Sequence, residues 1–576
     1  MVSPNLVKRA GDGPVAEINE NTRKLFQVIY TEQSKTNEIE EEGTPKIKVS
    51  TLISRLAFFY EKIRNVVDYE EEHLLRKNAI ARILRRQVLI EGVIKEADSV
   101  KIAEHLLIEL IRASYLPNNK IPETKIKEVA SVLEKYIRLK NQVSLNLNTN
   151  LNLKSDINET KNLINQKNKL THWLLTLAAC DIEENLAPNP VKQTIVDNLF
   201  TILSKNIQLP ADLHYGEDLK IQIYLSISRT YLKFDADMLS FVLFKYYNDG
   251  WQAVNSQETF TEADNQKIKS IASKFGDLRT LVDNQLKHPL TKQLDKIVRT
   301  YSLYFSILTE TIDGNPVQVY NEIQKGEKGF VALLRNVCQK KYHKVKNNLW
   351  RAAVRSILYI FLTKSIFAVL IEVPAIHWFD EPLNWVSLAI NISFPAILLF
   401  LIVFFTRQPK DNNTDKIVSG IKEIVFIGNE RKQPLVLRHT QARGWLKYGV
   451  FNLIYVASFF VSIYFIIWAL TKIQFNWVSI TIFLFFLAFV SFFSVITTKE
   501  VKELIVVERK ENLFTFLLDI FYMPIILVGR WLSERFSRIN IFIFLFDFII
   551  ESPFKVLVEI AEDWTKYVRE QRDNVE

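Results

Sequence analysis

The sequence predicts an all-α protein in which a large helical domain is followed by a polytopic helical membrane domain. Charged residues make up 24% of the 576 positions and lie mostly in the first 350, whereas the long apolar runs come afterwards. Glycine is absent between Gly92 and Gly216, and apolar residues in this half recur three and four positions apart. This pattern is typical of helices and disfavours a strand-rich fold. We expect about four membrane spans, a re-entrant or interfacial hairpin, and one small cytosolic β-hairpin.

Composition and motifs disfavour most enzyme classes. Cys180 and Cys338 are the only cysteines; two cannot build a disulfide framework, which favours a reducing compartment. No phosphate-binding glycine loop, nucleophile elbow or zinc-ligand spacing occurs in the sequence. Glu70 and His73 match one half of a di-iron motif, which needs a second copy. We therefore expect no catalytic residue, no metal and no cofactor.

The amino-terminal part is expected to be an arm followed by a helical domain. Residues 1–45 are polar, end in an acidic run and contain no apolar leader segment, so we expect a flexible arm without a cleaved signal. Residues 46–350 are expected to form about ten to twelve helices in a bundle or irregular solenoid. The polar, Asn-rich segment Ser144–Asn162 is interpreted as a long loop that divides this domain.

A cluster of cations near the start of this domain is a candidate basic surface. A basic helix face of this kind can bind anionic lipid or nucleic acid, or it can be a solvated face paired with nearby acids. We favour the solvated face. The cluster consists of Arg76, Lys77, Arg82, Arg85 and Arg86.

Four later segments have the length and apolarity of membrane spans. They are Ala353–Val373, Trp385–Phe405, Tyr448–Leu470 and Trp477–Thr497. Together they define a membrane domain over residues 351–498 with a loop at 406–447. Tryptophans fall near the ends of the segments, where aromatic residues favour the membrane interface.

Lysine and arginine predict the orientation of these spans. The residues before the first span are strongly basic, whereas the loop after it, with Asp380 and Glu381, contains no Lys or Arg. The 406–447 loop is again basic. Positive charge favours the cytosolic side, so the helical domain and both termini are expected there. Within the loop, the apolar stretches around Asn429–Lys432 predict the small β-hairpin.

The carboxyl-terminal region has two further apolar segments, Leu513–Leu532 and Ile539–Pro553. Two complete spans would place the basic residues between them outside, against the positive-inside trend. We therefore expect a re-entrant or interfacial hairpin over residues 499–553. Residues 554–576 are expected to form an amphipathic helix, either on the bilayer surface or docked on the helical domain.

Lys364 lies inside the first span, where a lone lysine costs about 2.5–3.5 kcal/mol on insertion scales. Glu372 follows eight residues later, roughly 12 Å along a helix axis, so we expect no close pair between them within one straight helix. Partners are therefore sought on other segments. The candidates are Asn391, Asn452, Asp519, Asp547 and Glu551.

Two interpretations of these intramembrane polar residues stay open. Lys364 either lines an ion or proton path, or it is a buried structural pair or snorkels to the interface. Asp547 and Glu551 share a helix face, where they either bind a cation or pair with nearby basic residues. For Lys364 we favour the structural pair or snorkelling over a path, and for Asp547 and Glu551 we favour pairing with basic residues. Asn391 and Pro395 indicate a kink in the second span.

The leading functional hypothesis is a non-enzymatic integral membrane protein whose cytosolic helical domain acts as a scaffold or recruits protein partners. The alternative is an oligomeric ion or proton channel or transporter that uses Lys364 and the membrane carboxylates. An enzyme acting on lipid at the hairpin is the third. The expected partners are the lipid bilayer, proteins and, in the alternative, further copies of the chain; nucleic acid is disfavoured. A bacterial inner membrane is the expected location.

Overall fold

The architecture is known from a computed structural model of the chain. It describes residues 18–37, 45–49, 58, 61–62, 71–87, 98–151, 157–210, 215–252, 254, 260–427, 434–438, 445–507 and 513–538, with isolated positions from 560 to 571. The described chain is 84% helical, which confirms the predicted all-α class. It divides into two compact units. One comprises residues 31–298, 433–438 and 541–576, and the other comprises residues 1–30, 299–432 and 439–540.

The helices of the first part of the chain alternate with short connections. They are α1 (Glu20–Asn37), α2 (Glu72–Arg85), α3 (Ser99–Arg112), α4 (Thr124–Leu151), α5 (Ile157–Leu186), α6 (Pro190–Asn206), α7 (Gly216–Thr230), α8 (Ala236–Tyr247), α9 (Asp249–Gln252), α10 (Glu262–Ser273), α11 (Phe275–Leu286), α12 (Thr291–Gly314) and α13 (Pro316–Lys325).

Local sequence fixes several of these starts. Asp98 accepts hydrogen bonds from the backbone amides of Val100 and Lys101, so it caps α3. Thr261 and Asp264 exchange hydrogen bonds as a capping box at the start of α10. Such caps satisfy amides that have no partner inside the helix and contribute about 0.5–2 kcal/mol each.

The unit of residues 31–298, called here the helical unit, has its own hydrophobic core, to which helices α2 to α5 and α7 to α11 contribute buried side chains. Aromatic rings pack against one another in this core. The ring centroids of Tyr136 and Trp251 lie 4.9 Å apart, and those of Trp173 and Phe275 lie 4.7 Å apart. Their large buried areas make such rings major contributors to core stability. The unit is therefore held together by side-chain packing independently of any membrane.

The predicted loop at Ser144–Asn162 is wrong. Helix α4 continues to Leu151 and helix α5 begins at Ile157, so most of this segment is helical. Asparagine has only a modest penalty inside a helix. An Asn-rich composition is therefore compatible with the helical residues found here and does not by itself indicate a loop.

The predicted β-hairpin is also wrong. Helix α17 (Asp411–Lys422) continues as a π-helical turn, Glu423–Ile427, because Ile424 and Val425 are buried by helix packing. The short strand β2 (Leu435–Val436) pairs in parallel with β1 (Ile207–Gln208), with Ile207 opposite Leu435. Residues 428–433 of the expected turn lie outside the described residues.

The later helices include the apolar ones. They are α14 (Glu327–Phe367), α15 (Val373–Trp378), α16 (Trp385–Phe404), α17, α18 (Trp445–Lys472), α19 (Trp477–Thr497), α20 (Lys499–Glu503) and α21 (Leu513–Arg538). Four helical segments are long and apolar enough to cross a membrane, at the four positions that the sequence predicts. The first belongs to a 52-residue helical run, Glu327–Trp378.

Helix α21 packs beside two of these segments. The backbone of Gly529 is so close to α19 that a Cβ there would lie 1.9 Å from the carbonyl oxygen of Ala488. On the other side, Ser462 of α18 donates to the carbonyl oxygen of Phe521 at 3.2 Å. The first arm of the expected hairpin is thus one helix. Residues 539–550 and most of 551–576 lie outside the described residues, so the hairpin and the amphipathic tail stay predictions.

Candidate functional site: a polar cluster among apolar helices

A cluster of polar side chains lies among the apolar helices of the unit of residues 1–30, 299–432 and 439–540, called here the membrane unit. Lys364, Glu372 and Asn391 each have 0% exposed surface, and so does Ser479. They come from α14, from the turn that follows it, from α16 and from α19, so the cluster joins three sequence-separated segments. Burial of this kind is costly unless the groups satisfy one another.

The expectation that Lys364 and Glu372 do not pair is wrong. Their side chains form an ion pair in which Nζ of Lys364 lies 3.7 Å from Oε2 of Glu372. The sequence argument assumed a straight, regular helix, but residues Ala368–Glu372 form a π-helical turn. The error therefore lay in the assumed backbone geometry.

The π-helical turn brings the two positions onto one face. Eight residues at about 100° each would leave Lys364 and Glu372 about 80° apart around an α-helix. An i→i+5 hydrogen bond closes a turn with one more residue than the α-helical bond does. The separation then acts as about seven residues, which differ by only about 20° around the axis. Long side chains reaching toward each other along the axis complete the approach.

Glu372 is the centre of the hydrogen bonding in this cluster. Its Oε1 atom accepts from Nδ2 of Asn391 at 2.5 Å and from Oγ of Ser479 at 2.9 Å. The same Nδ2 atom also lies 3.3 Å from the carbonyl oxygen of Ser479. Hydrogen bonds to an ionised carboxylate are stronger than neutral ones. Glu372 therefore ties α16 and α19 to the helix that carries Lys364.

Aromatic rings surround the ammonium group of Lys364. Its Nζ atom lies 3.9 Å from the centroid of the Phe486 ring and 5.5 Å from that of Phe367. A ring face attracts a cation most strongly where water is excluded. Lys364 is fully buried, which contradicts the snorkelling interpretation.

The cluster retains polar atoms that make no hydrogen bond to any described residue. These are Nζ of Lys364, Oε2 of Glu372 and Oδ1 of Asn391. The ion pair at 3.7 Å engages the first two electrostatically but is longer than a hydrogen bond. Chemically, the site offers one acid, one base and one amide within a dry apolar surrounding.

Of the other candidate partners of Lys364, only Asn452 has a side chain that the structure describes. Asn452 is exposed on α18. Asp519 lies within α21, but its side chain lies outside what the structure describes. Asp547 and Glu551 fall among the residues that are not described, so their proposed roles stay predictions.

Most cations of the candidate basic surface are paired with acids, as expected, but Arg76 and Lys77 are buried and do not lie on a solvated face. Arg76 is 8% exposed and binds Glu183 through two bonds, Nε to Oε2 at 2.7 Å and Nη2 to Oε1 at 2.8 Å. Lys77 is 1% exposed and contacts Asp235 at 2.5 Å and Asp237 at 3.1 Å. These acids are more than 100 positions away in the sequence, which is why inspection of the helix alone missed them.

The remaining three cations of that cluster also have partners. Arg82 binds Glu61 at 2.6 Å. Arg86 binds Glu109, and Arg85 contacts the ring of His172. These pairs neutralise much of the local positive charge. The arrangement therefore argues against an anion-binding role for this surface.

A cleft in the helical unit was not predicted. It has a volume of about 780 Å³ and lies between α4, α5, the end of α10 and α11. Val143, Leu170 and Phe275 contribute apolar surface to it. Its polar lining comes from Asn146, Gln166, Lys169, Ser273, Asp277, Arg279, Thr280 and Asp283.

The surroundings of this cleft are apolar and basic. Leu145 is 58% exposed and Ile164 is 47% exposed, and each lies within two residues of a lining residue. Burial lowers the pKa of Lys140, one turn from Val143, and the charge of Lys167 lowers it further. The sequence shows a leucine and an isoleucine in helical segments here, but the helical pattern does not show that these side chains are exposed. The cleft could therefore not be predicted.

Neither chemistry nor similarity gives a further assignment. The described residues contain no group of three or more His, Cys, Asp or Glu side chains placed to hold a metal ion. No family profile, curated protein or solved structure matches this chain.

Proposed function

We propose that this chain is an integral membrane protein whose helical unit recruits protein partners at the cytosolic face of the membrane. The four apolar helices support membrane insertion. The basic residues in the first part of α14, ahead of its apolar segment, and those within the 406–447 loop support a cytosolic helical unit, because positive charge favours that side. A bacterial inner membrane is the proposed location.

The open cleft of about 780 Å³ carries this proposal. Its lining combines apolar side chains, Val143, Leu170 and Phe275, with polar ones. A groove with apolar surface can bind the apolar face of a helical peptide segment. Leu145 and Ile164 add exposed apolar surface beside it. Large exposed apolar side chains close in sequence to a cleft favour a protein partner.

In a scaffold protein, the polar cluster would have a structural role, holding the apolar helices together. Lys364 and Glu372 neutralise each other, and Asn391 and Ser479 bind the carboxylate. Both charges are completely buried, with apolar rings against the ammonium group. A group enclosed in this way holds helices together.

Site-specific photo-crosslinking in the native membrane tests the proposal. A photoreactive amino acid would replace Gln166 or Thr280 in the cleft, and Glu217, exposed on α7, would be the matched control. We expect discrete crosslinked products of defined mass from both cleft positions and none from position 217. A folded protein that gives no product at either cleft position would contradict the proposal.

A second candidate function is an ion or proton path, in an oligomer, through the membrane unit. The observation that favours it is the π-helical turn at Ala368–Glu372 beside incompletely bonded polar atoms, since such turns are frequent at functional sites. Flux through proteoliposomes separates the two functions. The scaffold predicts no flux of protons or common ions for the wild type. A wild-type flux that Lys364→Met abolishes while circular dichroism shows the variant to be folded would establish the path instead.

A further inference from the structure

The helix that leads into the first apolar segment carries a row of exposed cations. Lys340, Lys344, Arg351 and Arg355 lie on α14, which runs without interruption from Glu327 to Phe367. At about 100° per residue, the four positions fall within about 60° of one another around the helix axis. All four residues are exposed. They form one face of the helix, called here the basic stripe.

The basic stripe has no acidic partner in the described part of the chain. The Arg351 guanidinium donates only to its own helix, to the carbonyl oxygen of Asn347 at 3.4 Å and to Oδ1 of Asn348 at 2.9 Å. Arg355 donates to the carbonyl oxygen of Arg351 at 3.2 Å. This differs from the candidate basic surface around Arg76, where most cations form ion pairs with acidic residues of the protein itself.

Three acids on neighbouring elements are engaged with cations outside the stripe. Glu310 binds Lys341 at 2.8 Å, and Glu503 lies 3.9 Å from Lys499. Asp415 binds Arg335. The positive charge of the basic stripe is therefore available to a ligand from outside the protein.

The same helix face becomes apolar where the membrane segment begins. Leu358 and Leu362 follow the stripe on nearly the same angular position and are 59% and 60% exposed. Apolar side chains so exposed in a helix of this length require lipid chains beside them. One continuous helix face thus presents cations followed by apolar side chains. An anionic phospholipid has the matching order of a charged headgroup followed by hydrocarbon chains.

We propose that the basic stripe binds the phosphate groups of anionic phospholipids in the leaflet where α14 enters the membrane. Arg351 and Arg355 lie one turn apart, about 6 Å along the axis, and an interfacial layer is about 5–8 Å thick. These two arginines therefore reach headgroup phosphates directly. Lys340 and Lys344, about 16–22 Å before Arg355, attract the negative surface from farther out.

Lipid selectivity of the full-length protein in vesicles tests this proposal. Spin-labelled phosphatidylglycerol and phosphatidylcholine would be compared in phosphatidylcholine vesicles holding the wild type or the variant K340Q/K344Q/R351Q/R355Q. The matched control, K269Q/K274Q/K287Q/K292Q, removes the same charge from exposed lysines of the helical unit. Far-UV circular dichroism would verify that each protein is folded.

We expect the wild type and the control to prefer phosphatidylglycerol, and the stripe variant to lose that preference by about fivefold or more, since each basic residue near a membrane surface contributes about this factor. High salt should reduce the preference of the wild type. Should the four substitutions prevent folding, R351K/R355K must retain the preference and R351Q/R355Q must weaken it. Equal selectivity in wild type and stripe variant would overturn the proposal, and so would loss of the preference in millimolar inorganic phosphate, which would identify a free anion as the ligand.

Discussion

Lys364 shows how much a single buried charge depends on its neighbours. Its energetic cost in an apolar segment is offset by Glu372 at 3.7 Å and by the Phe486 ring at 3.9 Å. The carboxylate is in turn held by Asn391 and Ser479. Removing one charge should therefore be worse than removing both.

Lys364→Met should destabilise the membrane unit by about 3–5 kcal/mol, because it leaves the Glu372 carboxylate buried without its counter-charge. The double variant Lys364→Met/Glu372→Gln should recover much of this loss, since an amide at position 372 still accepts from Asn391 and Ser479. Unfolding of the purified protein in detergent with increasing SDS measures both. A double variant as unstable as the single one would refute the structural pair.

Cys180 and Cys338 have 0% exposure, and their burial has a chemical consequence. Burial raises the pKa of the Cys338 thiol to about 11 and that of Cys180 well above its ordinary value. Because the thiolate is the reactive form, we expect neither to react with a maleimide at pH 8 in the native protein, and both to react after unfolding. Lys340→Cys, exposed two residues beyond Cys338, is the control that should react at once.

At the scale of elements, packing decides what local pattern leaves open. Helix periodicity and capping residues identify helices such as α3 and α10 directly, because the signals are local. The first arm of the predicted hairpin is helical, with Ile424 buried by packing. The Asn-rich segment is mostly helical, because asparagine disfavours a helix only modestly. The π-helical turn has no composition signal, and the ion pair depends on it.

Gly529→Ala should weaken the contact between α21 and α19. The added Cβ would lie 1.9 Å from a backbone oxygen, which a rotamer change cannot relieve, and such overpacking costs about 1–3 kcal/mol. Gly449→Ala on α18 is the matched control, since a Cβ there has nothing within 4 Å. Thermal unfolding in detergent measures the difference. Equal stability of the two variants would show that α21 does not pack on α19.

For the whole molecule, the apolar runs made the four membrane segments predictable, since no soluble helix lacks a polar face over such a length. Whether a given cation is paired with an acid inside the protein was less predictable. Arg76 and Arg351 belong to similar basic helices, yet only the first has acids folded against it. The cleft and the polar cluster need three-dimensional neighbours and therefore lay beyond sequence reasoning.

The predicted orientation can be tested with single cysteines in the loops. Asp380→Cys and Gln474→Cys should react with a membrane-impermeant maleimide added outside intact cells, whereas Lys410→Cys should react only after permeabilisation. The unmodified protein is the control, because its own cysteines are buried. Labelling of positions 380 and 410 from the same side would contradict an odd number of crossings between them.

The π-helical turn makes the Lys364–Glu372 pair tolerant of one particular deletion. An insertion of a single residue into a regular helix produces such a turn, so removing exposed Val369 should restore α-helical geometry while both charges stay on one face. Removing Phe361 instead would rotate Lys364 by about 100° relative to the preceding helix. The number of residues between Lys364 and Glu372, more than the identity of those residues, therefore decides whether the two side chains lie on one face of the helix. Related sequences that are one residue shorter in this helix should carry the deletion within Ala368–Ile371.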